Sequence, residues 1–244
     1  MRVLFLGNKY NAISVACLQA LVEAKDFVLS VGVSDPLTNG MWATARRLIR
    51  YHGFVGLVSR GMLLVTCGVR TKCRGMGIHL NGYRSLMELL ENNSVEHFMC
   101  REINAGDSIA RIKSISPELI VVAGFSQILR KEVLNIPSKR GINVHPSLLP
   151  KYRGPIPCYW VIKNNERVTG VTVHYLNEGI DSGDILLQRE VHVDRGESHQ
   201  SLERRLSHIG AGLLLEALDQ IRTGTVQPKR QDENEATYFS FRRH

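Results

Sequence analysis

Acidic residues are missing from one long stretch of this 244-residue chain: between Pro36 and Met87 there is no aspartate or glutamate. The same span carries Arg46, Arg47, Arg50, Arg60, Arg70, Lys72, Arg74 and Arg84, eight charges that equal the whole net excess of +8. Such a span attracts phosphate-bearing partners or anionic surfaces, and a solvated basic face would look the same. It shows no interleaved aromatic motif of the kind that binds nucleic acid, which argues against a plain nucleic-acid-binding module. No apolar run reaches the ~18–20 residues needed to cross a bilayer. The opening MRVLFLGNKYN lacks the longer apolar region and small-residue cleavage site of a signal peptide, so the cytoplasm is the expected location. Cys17, Cys67, Cys73, Cys100 and Cys158 are odd in number and irregular in spacing, which supports neither a disulfide framework nor a zinc site. Free buried thiols are expected instead, and no metal.

What is present is ordinary in bulk: 43% apolar and 22% charged residues, enough to bury a normal core at this length. Arg2–Gly7 form a compact apolar run that ends in a turn, and Ala12–Ala24 space Ile13, Cys17, Leu18, Leu21 and Val22 for a helix with one apolar face. Phe27–Val33 follow as a second strand. Strand, helix and strand in that order make a βαβ unit and hence a parallel sheet. Later come a helix at Gly82–Asn92, a strand at Val95–Cys100, a helix at Asp107–Ile115 and a short helix at Lys131–Leu134. Leu119–Ala123 (LIVVA) does not alternate at all and belongs at the sheet centre. Arg140–Val144 lead into His145, Val168–Tyr175 and Ile185–Val193 alternate as strands, and Ser198 caps a long helix to Thr223. Between Trp42 and Leu64 apolar residues are interleaved with arginines, which fits a packed insertion, a cover over a substrate site or a membrane-surface patch. With no internal repeat and no linker, the chain reads as one α/β domain over residues 1–225, a basic insertion at about 42–80 and a polar tail at 226–244.

Chemistry concentrates in two segments. In GINVHPSLLPKYRGPIPCYW, residues 141–160, a strand ends at Asn143-Val144-His145. Alternation puts Asn143 and His145 on one side of it, at the carboxyl end where open α/β sheets hold ligands. An amide donor and an imidazole can stabilise a developing oxyanion; a strand-end Asn and His can equally satisfy loop carbonyls. Prolines 146, 150, 155 and 157 shape an irregular loop around Arg153. In TGVTVHYLNEGIDSGDILLQ, residues 169–188, Asp181 lies in a glycine-bounded loop between two strands. A carboxylate facing a histidine raises the imidazole pKa and orients the ring. Asp184 is the competing acid, better placed for a turn.

These segments resemble the 10-formyltetrahydrofolate-dependent formyltransferases, which include methionyl-tRNA, glycinamide ribonucleotide and nucleotide-linked amino-sugar N-formyltransferases. The resemblance spans roughly residues 1–225. It rests on Asn143-x-His145-Pro-Ser-Leu-Leu-Pro-x-Tyr-Arg-Gly-x-x-Pro157 and on Thr169-Gly-Val-Thr-x-His174…Gly179-Ile-Asp181-x-Gly183. It implies a Rossmann-like, mostly parallel sheet with flanking helices. It also implies a catalytic trio of Asn143, His145 and Asp181 that directs an amine onto the formyl carbon of 10-formyltetrahydrofolate. The pterin is expected against Phe125, Ser126, Gln127, Ile128 and Leu129 on one side and Glu178, Gly179 and Ile180 on the other. Ser147, Tyr152, Arg153 and Gly154 are expected to face the acceptor, and His174 to lie in the floor of the site.

Within that family the acceptor expected here is the amino group of a nucleotide-linked sugar, a phosphorylated small molecule the basic span could neutralise. The loop after the first strand, Asn8–Ile13, is no glycine-rich phosphate cradle. Only about 20 residues follow the last helix, fewer than a tRNA-holding β domain needs. A tRNA acceptor, or hydrolysis of the formyl group, is the alternative. A homodimer is left open.

Overall fold

Residues 1–35 and 85–240 are described by the computed structural model; the basic insertion at 42–80 and the expected helical start at Gly82 lie outside them. The elements run β1 (Arg2–Asn8), α1 (Ala12–Ala24), β2 (Val28–Ser34), α2 (Leu86–Asn92), β3 (Glu96–Met99), α3 (Gly106–Ile115), β4 (Leu119–Ala123), α4 (Lys131–Leu134), β5 (Gly141–His145), α5 (Pro157–Lys163), β6 (Val168–Tyr175), β7 (Ile185–His192) and α6 (His199–Thr223). All seven strands form one sheet in the order β3-β2-β1-β4-β5-β6-β7. The first five in that order are parallel, while β6 and β7 are antiparallel additions at one edge. This is the expected mostly parallel α/β sheet, with the LIVVA strand in the middle of it.

The apolar pattern explains the layers. Along β1, Val3 and Phe5 point into one core while Leu4 and Leu6 point into another, and all four are buried. A strand that is apolar on both faces must be covered on both. The first core takes its other side chains from α1, α2, α5 and α6, the second from α3 and α4. The first and last helices start where the sequence supplies acceptors: Asn11 Oδ1 accepts from the backbone of Ile13 and Ser14, and Ser198 Oγ from Ser201. No helix among the described residues is long and apolar enough to cross a membrane.

Two expectations change. The proline-rich stretch after β5 is not loop throughout, because Pro157 opens α5. At the first helical position its missing N–H removes no bond, so a residue that looks like a breaker acts as a start. Residues 229–239, expected as part of a loose polar tail, instead pack on the domain. Lys229 and Ile185 exchange two backbone bonds of 2.8 Å. Phe239 stacks on Tyr152 and Trp160, each with a 5.0 Å centroid separation.

Candidate active site

Strand alternation places Val144 in the first core and leaves Asn143 and His145 together on the opposite side of β5. Both are buried. The antiparallel register of β6 sets His174 directly across from Asn143 and Thr172 across from His145. The loop from β6 to β7 then turns back to bring in Asp181, whose φ of 50° is a left-handed conformation few side chains adopt without strain. Gly183 permits the turn: a Cβ there would lie 1.8 Å from the Tyr175 carbonyl oxygen.

The three side chains converge. Asn143 Nδ2 donates to Asp181 Oδ1 at 3.3 Å and to His174 Nε2 at 3.1 Å. Asp181 Oδ2 accepts from the Gly154 backbone N–H at 2.9 Å and lies 3.6 Å from His145 Nδ1. The other imidazole nitrogen, His145 Nε2, is 2.9 Å from the Tyr152 carbonyl oxygen. A carbonyl only accepts, so Nε2 carries the hydrogen and Nδ1 is the atom left to take a proton. By the same reasoning His174 donates from Nδ1 to the Tyr175 carbonyl at 2.8 Å and accepts from Asn143 at Nε2. The His174 ring is therefore fixed beneath the Asn143 amide.

Burial pushes the His145 pKa down, and the Asp181 charge opposes this only in part. Burial would push Asp181 up, yet His145, His174 and the Gly154 N–H outweigh it and hold the carboxyl well below the usual carboxylate range. The site thus pairs a neutral imidazole with an ionised carboxylate, so a proton arriving at Nδ1 meets a negative charge.

Other expected site residues divide. Gly154 serves through its N–H, and its φ of 96° together with the Phe239 oxygen 2.3 Å from a would-be Cβ leaves room for nothing larger. The side chains of Ser147, Tyr152 and Arg153, expected to face the acceptor, are hydrogen-bonded to protein groups, and Arg153 also borders a cavity. Ser147 Oγ donates to the Lys151 carbonyl at 2.9 Å. The Tyr152 hydroxyl donates to Glu166, and burial with that carboxylate pushes its pKa up to about 12. Arg153 donates to Gln231 Oε1 and, through two 2.8 Å bonds, to Glu233. The loop composition could not reveal this, because the left-handed φ of Tyr152 and of Ile156 redirects the chain after each.

In the segment expected to hold the donor, Gln127 is likewise occupied: it accepts from Ile103 N at 2.7 Å and donates to the carbonyls of Cys100 and Arg101. Ser126 Oγ donates to Ser34 Oγ at 3.3 Å, Phe125 packs on the second core, and Leu129 is buried. Ile128 and Ile180 are different. They are 64% and 40% exposed, one in each expected donor segment, with Glu178 and Gly179 exposed beside the second. A cavity of about 640 Å³ borders the Asp181 loop, lined by Arg153, Asn177, Ile180, Ser182, Asp184, Arg230, Gln231, Glu233 and Tyr238. None of Asn143, His145 and Asp181 lines it. Gln231, in the packed segment after α6, donates to the Asp181 carbonyl; no motif in its polar surroundings pointed to it.

The family model for formyl transferases matches residues 85–218. A methionyl-tRNA formyltransferase of Clostridioides difficile (strain 630) is 41% identical over 238 residues, which is 98% of this chain and 65% of that protein. Another, of Caldanaerobacter subterraneus subsp. tengcongensis, is 35% identical over 182 residues, 72% of this chain and 57% of its own length. The chain thus spans less than two thirds of these relatives. Among solved structures, the N-formyltransferase of Helicobacter canadensis, in complex with folinic acid and dTDP-3-aminofucose, superposes with a TM-score of 0.65 at 20% identity, covering 98% of this chain and 71% of that one. Glycinamide ribonucleotide transformylase 1 of Symbiobacterium toebii gives 0.64 at 19% identity, covering 95% and 94%.

Proposed function

We propose, from the premise that the chain belongs to the formyl transferase family, that it moves a formyl group from 10-formyltetrahydrofolate to a primary amine. The observation that carries this reading is the convergence of Asn143, His145 and Asp181 at the end of β5, with His145 Nδ1 3.6 Å from the Asp181 carboxylate. The reading is supported by Ile128 and Ile180, one in each segment expected to hold the donor, which leave apolar surface uncovered as a flat heterocycle would require.

When bound, 10-formyltetrahydrofolate supplies an electrophilic formyl carbon. Around it, an Asn143 amide hydrogen, turned from its bond to Asp181 or His174, would stabilise the oxygen on which charge develops. His145 takes the proton that the amine loses, at Nδ1, and can return it to the departing nitrogen. Asp181 stabilises the imidazolium while that proton is held. The Gly154 N–H keeps the carboxylate turned toward the ring.

For the acceptor, identities of 35% and 41% to methionyl-tRNA formyltransferases favour the amino group of methionyl-tRNA. The nucleotide-linked amino sugar expected from the sequence is the second reading; its support is the likeness to a sugar N-formyltransferase, which at 20% identity speaks to fold. Both acceptors carry phosphates that the acid-free basic span of residues 36–87 could neutralise. The test is tetrahydrofolate release with methionyl-tRNA, with a dTDP-linked amino sugar and with no amine. Turnover only with methionyl-tRNA supports the first reading, turnover only with the sugar the second, and turnover without amine a hydrolase. No release in any arm would overturn formyl transfer itself.

A further inference from the structure

The trio is held in place from outside both motifs. Residues 229–239 run past it as a strap. Arg153 N donates to the Thr237 carbonyl and Phe239 N to the Arg153 carbonyl, both at 2.9 Å. Tyr152 N, whose residue carries the carbonyl that fixes His145, donates to Thr237 Oγ1 at 2.8 Å. Within the strap Gln231 is only 4% exposed. Its Oε1 accepts from Arg153 Nε at 3.1 Å and Nη2 at 2.8 Å. Its Nε2 donates to the Asp181 carbonyl at 2.9 Å and to the Gly183 carbonyl at 2.7 Å. A guanidinium only donates and a carbonyl only accepts, so the amide has one workable orientation and both its ends are engaged.

We propose that Gln231 is a positioning residue for the reaction: by gripping the backbone on both sides of Ser182 it holds the Asp181 carboxylate against His145. The proposal rests on the formyl-transfer reading for its kinetic consequence, and on geometry alone for its structural one. Asp181 sits at a φ of 50°, in the left-handed region, and Gln231 bonds the carbonyl of that same residue. Its Oδ2 is 3.6 Å from His145 Nδ1, just beyond a direct hydrogen bond, so a movement of under about 1 Å decides whether a proton can pass. The Gly154 N–H and the Asn143 amide orient the carboxylate once it is there, but neither fixes the backbone it hangs from. A glutamate at 231 would keep an acceptor for Arg153 and turn a second acceptor toward two carbonyls. A methionine would match the shape and grip nothing.

The experiment compares wild type, Gln231→Met, Gln231→Glu, Asp181→Asn and the Gln231→Met/Asp181→Asn double variant. Two readouts are taken: steady-state kinetics, and the titration of the His145 ring followed by nitrogen-15 NMR. Among the described residues the ionisable groups facing that ring are Asp181 and His174, and of these two Asp181 hangs on the Gln231 grip. Both Gln231 variants should lose about 10- to 100-fold in kcat with the KM for the folate donor nearly unchanged. His145 should titrate at lower pH in Gln231→Met than in wild type, and the double variant should match Asp181→Asn alone. If His145 titrates in Gln231→Met as it does in wild type, the proposal is overturned, whatever the kinetics. If no protein transfers formyl but the titration shifts as stated, the positioning stands and the functional reading fails.

Discussion

The two halves of the sheet are built on different physics. In the parallel half, β1 and β4 carry almost nothing polar inward, and their stability is the burial of side chains such as Leu4, Phe5 and Val121 on both faces. Where the sheet turns antiparallel, β5 and β6 bury Asn143, His145, Thr169, Thr172 and His174. Buried polar groups are tolerated only when paired, and pairing demands specific geometry. One half therefore supplies free energy and the other supplies directions. Substitutions in the first should unfold the protein without altering its chemistry, while substitutions in the second should do the reverse.

The sharpest way to break that contrast is at Phe5, which is fully buried in the core under α1. Phe5→Ala should lower unfolding free energy by about 3–5 kcal/mol, measured by urea denaturation. The folded fraction should keep normal turnover per molecule. His145→Ala tests the other half. It should lower kcat by about 10²-fold or more, equivalent to about 2.7 kcal/mol of barrier, while changing stability by only about 1–2 kcal/mol. Near-normal turnover in that variant would return His145 to a role in holding the Tyr152 carbonyl.

Acid should act on the second half before the first. The folded-state pKa of His145 lies below its ordinary 6.5, and that of Asp181 below its ordinary 3.8. In both cases the unfolded chain binds the proton more readily, so stability is fully present above the ordinary pKa and falls as pH drops below it. The His145 part begins to disappear below about pH 6.5 and the Asp181 part below about pH 4. His145→Gln should flatten unfolding free energy between pH 7 and 5 and also shrink the loss at lower pH, because His145 is the chief group holding the Asp181 carboxyl down. An unaltered slope in that variant would mean that the buried imidazole is not the group responsible.

The same division governs how much could be read before the fold was known. LIVVA at 119–123 and the helix at Ala12–Ala24 were legible because an apolar run or a three-to-four spacing is a direct record of burial. Asn143, His145 and Asp181 were legible as a set because two long motifs place them, and the fold joins residues that stand 38 positions apart. The protein partners of Ser147, Tyr152 and Arg153 were not, since a polar residue looks the same whether it meets ligand or protein. Nor was Gln231, which reaches Arg153 across 78 positions from a stretch that composition describes only as polar.

Thr172 gives the smallest and most discriminating test of the comparison, because it lies in the polar half, across from His145, but its hydroxyl bonds none of the trio. Its hydroxyl donates to the Ser147 carbonyl at 2.7 Å and accepts from Leu149 N at 3.1 Å and Gln188 Nε2 at 2.9 Å. Thr172→Val keeps the shape and strands the Leu149 N–H and the Ser147 carbonyl in a buried place. The expected loss of stability is about 1–3 kcal/mol. Gln188 still holds the Leu149 carbonyl at 2.7 Å, so the loop should keep its course and kcat should fall only a few-fold. A fall as large as that of His145→Ala would mean that the loop from Pro146 to Gly154, and not the trio alone, sets the geometry for proton transfer.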